Sequence, residues 1–252
     1  SHRLEEIIRI GDFVTILRDG LRVANAEVKD ISVNWIIEHM VGHSNLTIEK
    51  IPYAGEPEPV MTVTDYCLPR VGGGWTVDHV SFTLHKGEVL GIYGLMGAGR
   101  TELVESLMGL HPESSGTMVL AGETIHKPDI PGQIARGMVL VPEDRQRDGL
   151  VQTMSIANNL LLTSIPHFTK NGVIRKDQCK KAVECTVHDM QIKVADVKHL
   201  ISSLSGGNQQ KVVIGKCVMA NARVFMMDEP SRGIDVGAKT DIFILMRQFA
   251  AQ

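Results

Sequence analysis

The chain has no run of about 18 apolar residues, the length a helix needs to cross a bilayer, so nothing in it reads as a membrane span. It has no excess of basic charge. Its 26 Lys and Arg face 29 Asp and Glu for a net charge of −3, which argues against a nucleic-acid partner held by bulk charge. The four cysteines, Cys67, Cys179, Cys185 and Cys217, form no Cys-x-x-Cys pair and read as ordinary buried thiols in a reduced, cytosolic setting. The ten histidines show no metal-ligand spacing and read as surface or packing residues. Ser1–Glu6 is neither a signal nor a transit peptide, and the lack of an initiator Met points to a piece of a longer polypeptide. Aromatic residues are scarce and no internal repeat is present. With 252 residues the chain can bury a core without disulfides or structural metal.

What the chain has in plenty is glycine. The 24 glycines are roughly one residue in ten against a usual ~7%, yet they follow no triplet period and only 10 prolines accompany them. Collagen and low-complexity disorder are therefore excluded, and the glycines must serve particular backbone positions.

Residues 1–42 read as a helix, a hairpin and a helix. Phe13–Leu17 and Leu21–Val23 flank an Asp19-Gly20 turn, and Ser32 is placed to cap a helix over Val33–Val41 that Gly42 ends. Residues 43–59 carry Pro52, Gly55, Pro57 and Pro59 and read as an interdomain linker. From Val60 the pattern is α/β. Strands are expected at Val60–Val63, Val80–Leu84, Val89–Tyr93, Gly137–Val141 and Arg223–Met227, the third as a buried strand. Helices are expected at 101–108 and 238–252, and residues from about 150 to 203 read as an inserted helical subdomain.

Three motifs carry chemistry. Gly94-Leu95-Met96-Gly97-Ala98-Gly99-Arg100-Thr101 follows a predicted strand and opens a helix, the context in which successive backbone N–H groups wrap a phosphate. Thr101 would offer its hydroxyl to Mg²⁺. Arg100 stands where such loops usually carry Lys, and a planar guanidinium cannot sit where a compact ammonium does. A plain glycine-rich turn is the alternative; a dinucleotide fingerprint starting at Gly97 fails because position 102 is Glu102. The second motif is the apolar run Val224–Met227 ending in Asp228-Glu229. Asp228 would hold Mg²⁺ through water and Glu229 would polarise an attacking water. The third is Leu204-Ser205-Gly206-Gly207-Asn208-Gln209-Gln210-Lys211. Ser205 is a plausible N-cap, and two glycines leave N–H groups open at a second helix start.

In this order, the phosphate loop, the Leu-Ser-Gly-Gly signature and the Asp-Glu strand end resemble the nucleotide-binding domain of ATP-binding-cassette (ABC) ATPases over residues 60–252. Glu143–Leu150 and Asp228–Lys239 add a likeness to the C-terminal cassette of monosaccharide-import ATPases of the ribose, galactose, arabinose and xylose types, in which two cassettes share one polypeptide. The resemblance implies an α/β fold of the P-loop NTPase type, with a mixed sheet core, an antiparallel β subdomain and the inserted helical subdomain. It implies an ATPase that binds ATP and Mg²⁺ and couples hydrolysis to sugar import at the cytoplasmic face of the inner membrane. Its partners would be membrane permease subunits, a periplasmic sugar-binding protein indirectly, and a second cassette paired head to tail. Residues 1–42 would be the tail of the first cassette and residues 60–252 a second cassette ending before its final strand.

Residue by residue, Gly94, Gly97, Ala98, Gly99, Arg100, Thr101 and Glu102 would bind nucleotide, with Asp228 and Glu229. Trp75 would stack on adenine, with Tyr66 as the other option. Ser205, Gly206, Gly207 and Gln209 would complete the partner's ATP site. Asp235 would bridge the two sites or serve as a turn residue, and His2 would be a γ-phosphate sensor or a loose terminal residue. Glu143 stands where these ATPases have a Gln that contacts Mg²⁺. With Arg100, it implies a local site that turns over slowly or not at all, and a cassette that stops before its final strand implies a chain that is a weak ATPase alone. A soluble ABC-type ATPase without a permease, or a non-hydrolysing ATP-binding module, is the rival reading.

Overall fold

The computed structural model describes residues 4–18, 20–41 and 58–251. His2, Asp19, Gly42 and nearly all of the expected 43–59 linker lie outside them. No helix among the described residues is long and apolar enough to cross a membrane.

The first elements are α1 (Leu4–Ile10), β1 (Phe13–Arg18), β2 (Leu21–Glu27) and α2 (Val33–Val41). β1 and β2 pair antiparallel. Ser32 caps α2 as expected, its hydroxyl accepting the Trp35 N–H at 3.2 Å. Leu4, Val14, Ile16, Val28 and Ile36 form a small core of their own.

Next come β3 (Pro59–Pro69) and β4 (Trp75–His85), a long hairpin turned by Gly72, Gly73 and Gly74, all at positive φ. Then follow α3 (Arg100–Met108), β5 (Ser115–Leu120), β6 (Glu123–Ile125), α4 (Ile130–Ala135) and β7 (Met138–Val141). One antiparallel sheet has the order β4-β3-β5-β6. Its inner face, with Met61, Val63, Leu68, Val77 and Met118, closes over Leu103 and Leu107 of α3. Each such fully buried aliphatic contributes roughly 1.5–3 kcal/mol relative to an exposed one.

The remaining elements are α5 (Ile156–Leu161), the two-residue strands β8 (Thr169–Lys170) and β9 (Val173–Ile174), α6 (Lys176–Asp189), α7 (Gly206–Met219), β10 (Val224–Met227) and α8 (Val236–Ala250). β10 runs parallel to β7, with Val224 opposite Met138 and Met227 opposite Val141. Helix α7 lies at the centre of the second core, where Val212, Val213 and Ile214 are fully buried among Ile156, Leu160, Ile201 and Ile242. Lys216 on the same helix reaches the Gly149 carbonyl at 2.6 Å, and burial lowers its pKa.

One expected strand is absent. Val89–Tyr93 joins no ladder, and Val89, Leu90, Ile92 and Tyr93 are exposed. A strand buried on both faces is held by neighbours that satisfy its N–H and C=O groups. Among the described residues the parallel sheet has only β7 and β10, and Gly91 interrupts the run. The expectation for the cysteines also needs correction at one position, since Cys185 is exposed while Cys67, Cys179 and Cys217 are buried.

Candidate functional site

The parallel register of β7 and β10 sets the site. It puts Pro142-Glu143 and Asp228-Glu229 at the same, C-terminal, end of the two strands, and the Asp228 N–H continues the ladder to the Val141 carbonyl at 2.9 Å. Open α/β sheets bind ligands at this end. Helix α3 brings the phosphate-loop motif to meet it. The Thr101 hydroxyl donates to Asp228 Oδ2 at 2.5 Å, joining residues 127 apart in sequence. Arg100 pairs with Glu229 across 2.9 Å. Glu229 itself sits at φ 42, a left-handed conformation for a non-glycine residue and a form of strain that collects at functional sites.

The loop ahead of α3 stands in solvent. Met96 is 99% exposed and Leu95 is 80% exposed. Gly97 and Gly99 have φ of 80 and 81, and a Cβ on Gly97 would meet nothing within 4 Å. Gly99 differs, because a Cβ there would lie 2.3 Å from the Thr76 carbonyl oxygen. Only glycine lets the loop rest on β4. No side chain from the N-cap bonds the first N–H groups of α3, which leaves them for an anion.

A cleft beside these groups is lined by Thr101, Glu105, Glu143, Asp144, Asp148 and Asp228, with Arg147 and Arg232 as its cations. Carboxylates and a hydroxyl are hard oxygen donors, so the lining fits a divalent cation of the Mg²⁺ type better than bare phosphate. Glu143 forms an ion pair with Arg232. Asp144 accepts the Gln146 and Arg147 N–H groups at 3.1 Å each, and these bonds lower its pKa.

The signature lies at the start of α7, where Gly206 adjoins Arg145 and the Gly233 carbonyl beside cleft-lining Arg232. Ser205 is the N-cap residue, but its hydroxyl accepts the Asn208 side-chain amide at 3.0 Å instead of a backbone N–H. Both glycines are closed in by the chain's own atoms. A Cβ on Gly207 would lie 2.4 Å from the Ala238 Cβ of α8, and one on Gly206 would lie 2.7 Å from the Arg145 guanidinium. Gln209 is buried, donating to the Ile201 and Leu204 carbonyls, while its Oε1 has no partner among the described residues. Asp235 caps α8, accepting the Ala238 N–H at 2.8 Å.

Two candidates for the adenine platform separate clearly. Trp75 is 42% exposed. Tyr66 is 2% exposed, its hydroxyl donating to the Ser106 carbonyl at 3.1 Å, and burial raises its pKa. Tyr66 is a core residue and offers no face to a ligand. Arg145 and Arg232 belong to the site and carried no role in the sequence reading. Arg145 donates to the Arg232 and Gly233 carbonyls at 2.7 and 3.1 Å, and its burial lowers its pKa. Nothing in local spacing marks either residue, since their partners lie almost ninety positions away.

A family model described as "ABC transporter" matches residues 77–232. The ribose import ATP-binding protein of Rhodopirellula baltica is 38% identical over 254 residues, covering 100% of this chain and 50% of that protein. The xylose import ATP-binding protein of Brucella abortus is 38% identical over 262 residues, with 100% and 50% covered. The chain thus spans about half the length of the curated relatives it matches. Among solved structures, a nucleotide-free ATP-binding cassette from an ABC transporter aligns with a TM-score of 0.66 at 22% identity, covering 77% of this chain and 78% of that one. A dimeric ATP-binding cassette in a post-hydrolysis state with ADP and Pi aligns at 0.65 and 18%, covering 75% and 82%. The α/β fold, with its separate antiparallel sheet, is therefore that of an ATP-binding cassette, and the chain belongs to the ABC transporter family.

Proposed function

We propose that this chain is an ATP-binding and ATP-hydrolysing energy-coupling part of a monosaccharide import system. The observation that carries the proposal is the bond between Thr101 and Asp228, which brings the phosphate loop and the acidic strand end to one point. The names of the ribose and xylose import relatives support the transport role.

In this reading the N–H groups of Gly97, Ala98, Gly99 and Arg100, with the start of α3 through Thr101 and Glu102, cradle the phosphates, and Gly94 shapes the turn. Thr101 and Asp228 would hold Mg²⁺, while Trp75 would stack on adenine. When bound, Mg²⁺ supplies charge neutralisation at the phosphates. Glu229 accepts the proton of the attacking water at its carboxylate, and Glu143 orients groups at the cleft mouth. Ser205, Gly206, Gly207 and Gln209 would face a second cassette's nucleotide in a head-to-tail pair, with Asp235 and His2 at that interface. The domain division is part of the proposal: residues 1–42 as the tail of a preceding cassette, 43–59 as linker, 60–252 as a cassette, with a helical subdomain at about 150–203. Permease subunits, a periplasmic sugar-binding protein and the cytoplasmic membrane face complete it.

The pair between Arg100 and Glu229 favours a local site that is slow or silent, because the base is engaged by a cation from the phosphate loop. Arg100→Lys in the intact, permease-bound protein should raise local turnover, and Glu229→Gln added to that variant tests the assignment. Local turnover should fall by about a hundredfold or more while ATP binding persists. Unchanged turnover would sink the role of Glu229, and two nucleotides hydrolysed at equal rates in the wild type would sink the slow local site. Absence of both co-purifying permease and stimulation by a sugar-loaded binding protein would overturn the importer reading.

A further inference from the structure

A second cluster with ligand chemistry lies on the β3–β4 hairpin. Asp65, Cys67 and His79 each bring one ligand atom to within 4.8 Å of the others, and no other such trio of His, Cys, Asp or Glu occurs among the described residues. The strand ladder explains how they meet. Between the pairs Val63–Phe82 and Tyr66–Val80, β3 has one residue more than β4; between Tyr66–Val80 and Leu68–Val77, β4 has one more than β3. Asp65 sits in the first bulge and His79 in the second, at φ 54 and 50, a left-handed conformation in both cases. Opposed bulges cancel in register, so the hairpin recovers its pairing, and they re-aim the two side chains toward each other. Strain of this kind at two facing non-glycine residues is a pointer to function.

The local bonding is already arranged around the sulfur. The His79 N–H donates to Cys67 Sγ at 3.3 Å, and the Asp65 N–H donates to Ser81 Oγ at 2.9 Å. His79 Nδ1 lies 2.5 Å from Asp65 Oδ1, and Trp75 packs edge-on to the imidazole at 5.7 Å. Cys67 is buried, whereas the His79 and Asp65 side chains are 58% and 68% exposed. An ion can therefore enter from solvent and find the sulfur behind it.

We propose that Asp65, Cys67 and His79 form a binding site for a zinc-type divalent transition metal, with water completing the coordination. One sulfur, one imidazole and one carboxylate suit Zn²⁺, whereas Ca²⁺ and Mg²⁺ select oxygen donors. On ligation the Cys67 thiol gives its proton to solvent. Asp65 serves either as third ligand or as the carboxylate that orients the imidazole. The site does not depend on nucleotide chemistry, but it lies three residues from Thr76, on which the phosphate loop rests.

Titration of the metal-free intact protein with Co²⁺ tests the proposal. One equivalent should give thiolate-to-cobalt charge-transfer absorption in the near ultraviolet, and Zn²⁺ should bleach it. His79→Gln, at an exposed position, should weaken Co²⁺ and Zn²⁺ binding at least about tenfold with the fold retained by circular dichroism. Cys67→Ser should remove the charge-transfer absorption, and Cys185→Ser should leave it unchanged. Lack of that absorption at saturating Co²⁺, its loss in Cys185→Ser, or its survival at full strength in His79→Gln would overturn the site.

Discussion

Helix α3 follows Gly97-Ala98-Gly99 and helix α7 opens on Gly206-Gly207, and at neither does an N-cap side chain bond a backbone N–H. At α3 the turn projects into solvent, and Gly97 has no neighbour within 4 Å of its missing Cβ. At α7 the glycines are covered by Ala238 and by Arg145, and the helix behind them is buried along most of its length. The same residue type thus does two jobs. In the loop, glycine supplies positive φ and open N–H groups; in the signature, it supplies the missing volume that lets α8 and Arg145 approach. Gly99 combines both, because it has positive φ and rests on the Thr76 carbonyl.

The sharpest test of that contrast lies within the loop. Gly99→Ala must move a Cβ away from a backbone oxygen and adopt a left-handed φ, and should cost about 3 kcal/mol of stability in urea unfolding. Gly97→Ala has room and should cost only about 1 kcal/mol for the conformation. Equal costs would break the distinction. Next comes Gly207→Ala, whose Cβ would collide with Ala238; a loss of about 2 kcal/mol is expected. Adding Ala238→Gly should recover part of it, and no recovery would mean that contact with α8 is not why Gly207 is glycine.

Smaller effects follow at the helix cap and the buried thiol. Asp235→Ala removes the cap of α8 and should lower stability by about 1 kcal/mol in thermal melts. Burial pushes the Cys217 thiol on α7 up to about 11 from 9.0. The folded state keeps a proton that the unfolded chain releases, so this contribution is whole below pH 9 and declines as pH rises toward 11. The alkaline decline in stability should flatten in Cys217→Ala. In the native protein iodoacetamide should label exposed Cys185 long before Cys217, as read by mass spectrometry; equal rates would show that α7 is not closed.

Elements with local signals were legible. Ser32 capping α2, a helix after the glycine-rich loop (expected from 101, observed from Arg100), and the strands at Met138–Val141 and Val224–Met227 all follow from short-range patterns. The run Val89–Tyr93 misled because apolar content marks a buried strand only when partners flank it. Tyr66 misled because sequence carries no burial for an aromatic residue near a glycine run. The Asp65, Cys67 and His79 cluster had no spacing to reveal it, since opposed bulges on two strands bring its members together.

By itself, the sequence determined which segments turn on glycine, offer carboxylates at a strand end, and start a helix beside glycine. Each of those is a property of a few consecutive residues and their backbone freedom. Only the tertiary structure decided that Thr101 bonds Asp228, that Arg100 pairs with Glu229 and that Gly207 lies against Ala238. Those contacts join residues far apart in the chain, and their partners are chosen by the register of β7 against β10 and by the packing of α3, α7 and α8 around it.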